Sequence, residues 1–135
     1  MVAILLFLGA SLAQADGLPM YERTVRLIEE RYLRMDEFEP AVAFVRAAEA
    51  AESAIPWLIV EPDGASVILT DAISAVSVPV SFAEEGQVPT ITGLPEALTR
   101  LEDAIIGLGG DIDPETDVPV VLLKGVASNM DRHSV

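Results

Sequence analysis

The spacing of apolar positions changes twice along this chain, and the changes mark out the expected elements. Tyr21, Val25, Ile28, Tyr32 and Met35 recur at i, i+4, i+7, i+11 and i+14, which predicts a helix over residues 18–35. Arg23, Arg26, Glu29, Glu30 and Arg34 take the remaining positions. Asp36-Glu37-Phe38-Glu39 breaks the period. Pro40 suits the first turn of a second helix, where its missing N–H is not needed. That helix is expected over residues 41–55, with Phe44, Ala48, Ala51 and Ile55 on one face and Pro56 as its stop.

The texture then turns β-prone. Residues 57–61 and 66–70 are short apolar runs flanking Pro62-Asp63-Gly64-Ala65, where Gly64 is free to take a positive φ; together they read as a hairpin. Residues 75–82 form a third run, with Pro79 fit for an edge strand. A lone hairpin is marginal in water, so the small sheet must pack on the helices. Helical spacing returns at Leu94, Leu98, Leu101, Ile105 and Leu108, and Gly109-Gly110 ends it. After an acidic loop, Asp117 is placed to cap a last helix with Pro119 in its first turn. Val120, Leu123, Ala127 and Met130 would share its face, although residues 118–123 fit a buried strand equally well. The order is helix-helix-strands-helix-helix. The expected fold class is α+β: a helical domain with a small antiparallel β insertion.

Charge sharpens this picture. The first fifteen residues carry none, so the net charge of −14 belongs to residues 16–135. An apolar share of 51% is too high for a disordered tail. Strong acidity argues against nucleic acid or anionic lipid as partners, because both attract Lys and Arg. With no cysteine, the chain has no disulfide, thiolate metal site or Cys nucleophile.

The uncharged start has the order of a secretory signal peptide. Val2 to Leu8 is apolar, Ala13-Gln14-Ala15 offers small residues to a signal peptidase, and Asp16-Gly17 opens a polar stretch. Residues 1–15 are therefore expected to be removed, with the cut after Ala15, although no Lys or Arg precedes the apolar run. That run is too short to span a bilayer, so no stable membrane span is expected after cleavage. The expected location is the periplasm or cell envelope of a bacterium.

Candidate chemistry is sparse. Asp111, Asp113, Glu115 and Asp117 alternate like calcium ligands, but Thr116 stands where a calcium loop needs Gly and Leu122 where it needs Glu. A solvated loop with Asp117 as a cap is the simpler reading. Lys124 and Ser128 stand at helical spacing, yet nothing nearby supplies the desolvation and oxyanion hole that a Ser–Lys nucleophile needs. His133 is the single histidine, which makes a poor metal site. Asp131, His133 and Ser134 are too crowded to form a catalytic triad among themselves. Trp57, beside Pro56 at a helix-to-strand corner, is expected to anchor the core. No catalytic, cofactor-binding or metal-binding residue is expected in this segment, and no cofactor.

The run Lys124-Gly125-Val126-Ala127-Ser128-Asn129-Met130-Asp131-Arg132-His133-Ser134 resembles a junction found in carboxyl-terminal processing peptidases. These are exported bacterial serine endopeptidases with a Ser–Lys catalytic pair and a PDZ domain. In many of them a small helical region ends in a Gly-Met-Leu-like helix followed by Leu-Asp-Pro-His-Ser. Here Arg132 replaces the usual Pro and Met130 the usual Leu. Glu30-Arg31-Tyr32 closing a helix, Ala54-Ile55-Pro56 closing an Ala-rich helix, and the β insertion that follows are also similar to a subgroup with an enlarged N-terminal region.

The resemblance implies that residues 16–135 form an N-terminal α+β domain ahead of a missing PDZ domain, and it favours a helix over residues 118–130. The family's Ser, Lys and PDZ pocket would lie beyond Val135. The parent would hydrolyse peptide bonds, with protein or peptide substrates held by those downstream domains, and this domain would serve as scaffold, gate or homo-oligomer contact. The alternative is a self-contained exported acidic protein-interaction module without enzymatic activity. An exposed apolar face on the last helix would mark a missing neighbour.

Overall fold

The computed structural model of the protein describes residues 17–31, 38–83 and 87–131. Helix α1 spans Gly17–Arg31, with Tyr21, Val25 and Ile28 buried along one stripe. Tyr32 and Met35, expected to extend that stripe, lie outside the described residues, as do residues 1–15, where the leader is expected. Helix α2 spans Pro40–Ala54 with the proline in its first turn, and Ile55 caps its end through a backbone bond to the Ala51 carbonyl. Phe44, Ala48, Ala51 and Ile55 are all buried, as their spacing predicts.

Three strands follow: β1 (Leu58–Asp63), β2 (Ser66–Asp71) and β3 (Ser77–Ser81), antiparallel in the order β1-β2-β3. The first hairpin is longer than its turn signal suggests. Pro62 and Asp63 pair with Val67 and Ser66, so the turn shrinks to Gly64 and Ala65. Gly64 alone of the two takes a positive φ, of 62°, the pattern of a two-residue turn with glycine first. Pro62 does not break the strand, because hydrogen-bonded pairs alternate along the ladder and Pro62 falls at an outward position that needs no donor.

A 3-10 turn over Ile91–Gly93 leads into helix α3, Leu94–Gly107. Leu94, Leu98, Leu101 and Ile105 are fully buried, and Gly109 leaves the helix with φ 81°. Helix α4 spans Val118–Asp131, which settles residues 118–123 as helix. The architecture is α+β: two helices, a three-strand antiparallel sheet, then two helices.

Helix α2 is the centre of the core. It touches α3, α4, β1 and β2, while α1 packs on α3 and α4. The inner sheet face presents Leu58, Val60, Val67, Leu69 and Val80 to the helices. Phe44 of α2 meets Phe82 edge-to-face with centroids 5.4 Å apart, a favoured aromatic geometry. On the outer face the hydroxyls of Thr70 and Ser77 pair, as do those of Ser66 and Ser81.

The buried stripe of α4 is not the one expected. Val118, Leu122 and Val126 are buried, whereas Ala127 is exposed and Val120, Leu123 and Met130 are half-buried. The stripe centres on Gly125. A Cβ there would lie 2.5 Å from the Arg46 carbonyl oxygen and 2.6 Å from the Ala47 Cα, so the backbones of α2 and α4 meet where only glycine fits. A residue without a side chain leaves no mark in an apolar pattern, which is why the period points to the wrong face.

Candidate functional site

The buried polar groups are where the sheet and helices are tied together. Tyr21 on α1 donates its hydroxyl to Glu102 Oε1 on α3 at 2.7 Å, and both side chains are buried. Burial, then the hydrogen bond to Glu102, then the charges of Glu102, Asp103 and Asp117 push the Tyr21 hydroxyl far above its ordinary range. The Glu102 carboxylate also fills the space beside Gly17, where a Cβ would collide with Oε1. An anion at the first residue of α1 complements the positive end of the helix dipole.

Both outer edges of the sheet are blunted. Along β1 the outward positions are Leu58, Val60 and Pro62. The Leu58 N–H donates to the Ile55 carbonyl at 3.1 Å, the Val60 N–H to Glu52 Oε2 at 2.7 Å, and Pro62 has no N–H. Along β3, Pro79 holds the central outward position, and the Arg100 guanidinium on α3 donates to the Ser81 and Phe82 carbonyls. These devices oppose edge-to-edge pairing with another chain.

Asp71 sits on the inner sheet face, 5% exposed. Its Oδ1 accepts from the backbone N–H groups of Ile73 and Ser74, which fixes the β2–β3 connection. Ala75 in that connection has φ 64°, an unusual value for a side chain with a Cβ. Its tip leaves Ile73 86% and Val76 54% exposed.

Asp113, Asp117, Ser128 and Trp57, among the groups singled out for chemistry, each make a hydrogen bond that shapes the fold. Asp113 accepts from the Glu115 N–H and Asp117 from the Val120 N–H, so the first shapes a turn and the second caps α4. Among the described residues no group of three or more His, Asp or Glu side chains stands close enough to hold a metal ion. The Ser128 hydroxyl donates to the Gly125 carbonyl at 2.7 Å, a helix-internal bond, and not to Lys124. Lys124 and Ser128 line an open groove of about 440 Å³ with Arg46, Glu49, Glu52 and Ser53. Trp57 is buried and donates its indole N–H to the Asp111 carbonyl at 2.6 Å, with Gly110 packed against the ring where a Cβ would not fit. His133 and Ser134 lie outside the described residues.

Sequence reasoning misses Glu52, Asp71 and Glu102. Glu52 and Glu102 meet partners eight and 81 residues away, a relation that leaves no local signal, whereas Asp71 bonds the N–H groups two and three residues on, a turn signal that the reading passed over. For Glu102 there is one usable hint: it follows Leu101 inside a helix and flanks the buried stripe Leu98, Leu101 and Ile105.

No helix among the described residues is long and apolar enough to cross a membrane. No protein-family model matches the chain, and neither a curated protein nor a solved structure matches it.

Proposed function

We propose that this chain is the non-catalytic N-terminal domain of an exported serine endopeptidase resembling the carboxyl-terminal processing peptidases. The observation that carries the reading is Gly125. It stands in the Lys124 to Ser134 run that resembles the family's junction, and contact with the α2 backbone at 2.5 Å gives that glycine a packing reason. The helix it belongs to leads into Asp131-Arg132-His133-Ser134 after the same succession of helices and β insertion. In this role the domain is a scaffold: α2 clamps α4, and α4 sets the direction in which the chain leaves. The catalytic Ser and Lys and the PDZ pocket belong to a later part of the parent, which binds substrate tails by strand addition. The leader 1–15 directs export to the periplasm or cell envelope.

The apolar side chains of α4 give no separate support, since the exposed large ones among the described residues fall on α1, α3, the sheet and its loops. The test is an activity assay on residues 16–135 with an unfolded protein as substrate. No cleavage is expected. Cleavage that disappears in Ser128→Ala would overturn the reading.

A second reading, a self-contained acidic interaction module, is favoured by the hairpin tip. Asp71 and the positive φ of Ala75 hold Ile73 and Val76 out in solvent. An apolar tip on a rigid turn is suited to insertion into a partner.

A further inference from the structure

We propose that the open edge of β3 takes up an extended segment of another protein as a fourth strand, with an aliphatic side chain of that segment in the cavity beside α3 and an acidic one against Arg100. The inference stands apart from both functional readings, since either role leaves this edge on the surface. The ladder to β2 fixes which groups face outward. The Phe82 N–H donates to the Ala65 carbonyl and the Asp71 N–H to the Val76 carbonyl. Val78 and Val80 are therefore the positions bonded to β2, and Ser77, Pro79 and Ser81 turn their backbone groups away. Arg100 takes up the Ser81 carbonyl. The N–H and carbonyl of Ser77, the Pro79 carbonyl and the Ser81 N–H have no partner among the described residues. On β1, by contrast, both outward N–H groups are bonded and Pro62 has none.

An extended backbone matches donors and acceptors at the spacing of alternate strand residues. Residues 72–83 carry no charged side chain, so no lysine guards this edge. Pro79 argues against a second copy as the occupant. Two β3 edges set about a two-fold at Pro79 would bring two carbonyls together with no donor between them, which is how this edge is blunted against itself. A foreign segment running antiparallel to β3 avoids that clash, because its residue opposite Pro79 supplies the N–H. Its residue opposite Val80 has its side chain on the helix-facing side, as Val80 does. There a cavity of about 320 Å³ lies between β3 and α3, lined in part by Val80, Arg100 and Ala104. The residue two places earlier stands opposite Phe82. Arg100 holds the Ser81 and Phe82 carbonyls through Nη2 alone, so its other N–H groups are left for a carboxylate at that position.

The test titrates the full chain, 15N-labelled, with the blocked peptide acetyl-Glu-Thr-Val-Thr-Val-Thr-amide, whose first valine would stand opposite Val80. Amide shifts are expected at Ser77 and Ser81, with slowed hydrogen exchange at both. Three altered peptides probe the three contacts without touching the fold. Glycine for the first valine is expected to weaken binding about tenfold, the scale of one buried aliphatic side chain. N-methylation of the amide that faces the Pro79 carbonyl is expected to weaken it about as much. Lysine for the glutamate is expected to weaken it about threefold or more, and less so at high salt. No binding, shifts that map away from β3, or an altered peptide that binds as well as the first overturns the proposal. So do concentration-dependent shifts at Ser77 and Ser81 without peptide, which would make a second copy the occupant.

Discussion

The Glu52 carboxylate accepts the Val60 backbone N–H at 2.7 Å, so a helix side chain closes the outer edge of a strand eight residues later. With Leu58 bonded to Ile55 and Pro62 lacking a donor, no outward N–H of β1 is left for another chain. Glu52→Ala reopens the central position. It is expected to lower unfolding free energy by about 1–2 kcal/mol, the scale of a lost charged hydrogen bond at a half-buried site. Denaturant unfolding checks the loss. Faster hydrogen exchange at Val60, with exposed Ser53→Ala near neutral, separates edge opening from general destabilisation.

Tyr21→Phe removes the donor to Glu102 and leaves a buried carboxylate less satisfied. The expected cost is about 1–3 kcal/mol. The wild type carries a pH signature of the same contact. The folded Tyr21 value is raised, so its contribution to stability is complete below about pH 10, the ordinary tyrosine value, and is lost as pH rises above it. Absorbance titration is expected to show Tyr21 ionising only as the fold is lost in alkali. A tyrosine signal that titrates at the ordinary value in the intact fold, and is absent in Tyr21→Phe, would contradict this.

Gly125→Ala sets two effects against each other. Alanine gains about 1 kcal/mol of helix propensity over glycine. Its Cβ would stand 2.5 Å from the Arg46 carbonyl oxygen and 2.6 Å from the Ala47 Cα, both backbone atoms that cannot swing aside. The steric term wins, and a net loss of about 1–3 kcal/mol is expected in thermal or urea unfolding. Alanine at exposed Lys124, one residue earlier, is the control and should be close to neutral.

Ala75→Gly is expected to stabilise. The left-handed backbone at φ 64° costs an alanine about 1–2 kcal/mol, and glycine returns about 0.4–1 kcal/mol of that as unfolded-chain entropy. A net gain near 0.5–1 kcal/mol follows, readable as a higher urea midpoint with an unchanged slope.

Among the described residues, α1, α2, α3 and the three strands were legible because each carries its own period and its own punctuation, whereas the period over residues 118–123 fitted strand and helix alike. Pro40 and Pro56 bracket α2, Gly64 turns the first hairpin, and Gly109 ends α3. The buried face of α4 was not legible, since its centre is a glycine chosen by the proximity of α2. The ties between elements were hidden for a related reason. Glu52 and Glu102 sit among many similar acidic residues, and only the tertiary fold decides that these two meet a strand N–H and a buried tyrosine hydroxyl. Of the groups considered for catalysis or metal binding, Asp113 shapes a turn, Asp117 caps α4 and the Ser128 hydroxyl bonds within its helix.

The central claim is that this domain precedes a PDZ domain and a Ser–Lys peptidase. Reading the messenger RNA beyond the Val135 codon tests it most directly. The account expects an open frame that continues into a Gly-rich PDZ pattern and then a catalytic Ser and Lys. A stop codon immediately after Val135 in the native transcript would contradict it and leave the interaction module as the reading to pursue.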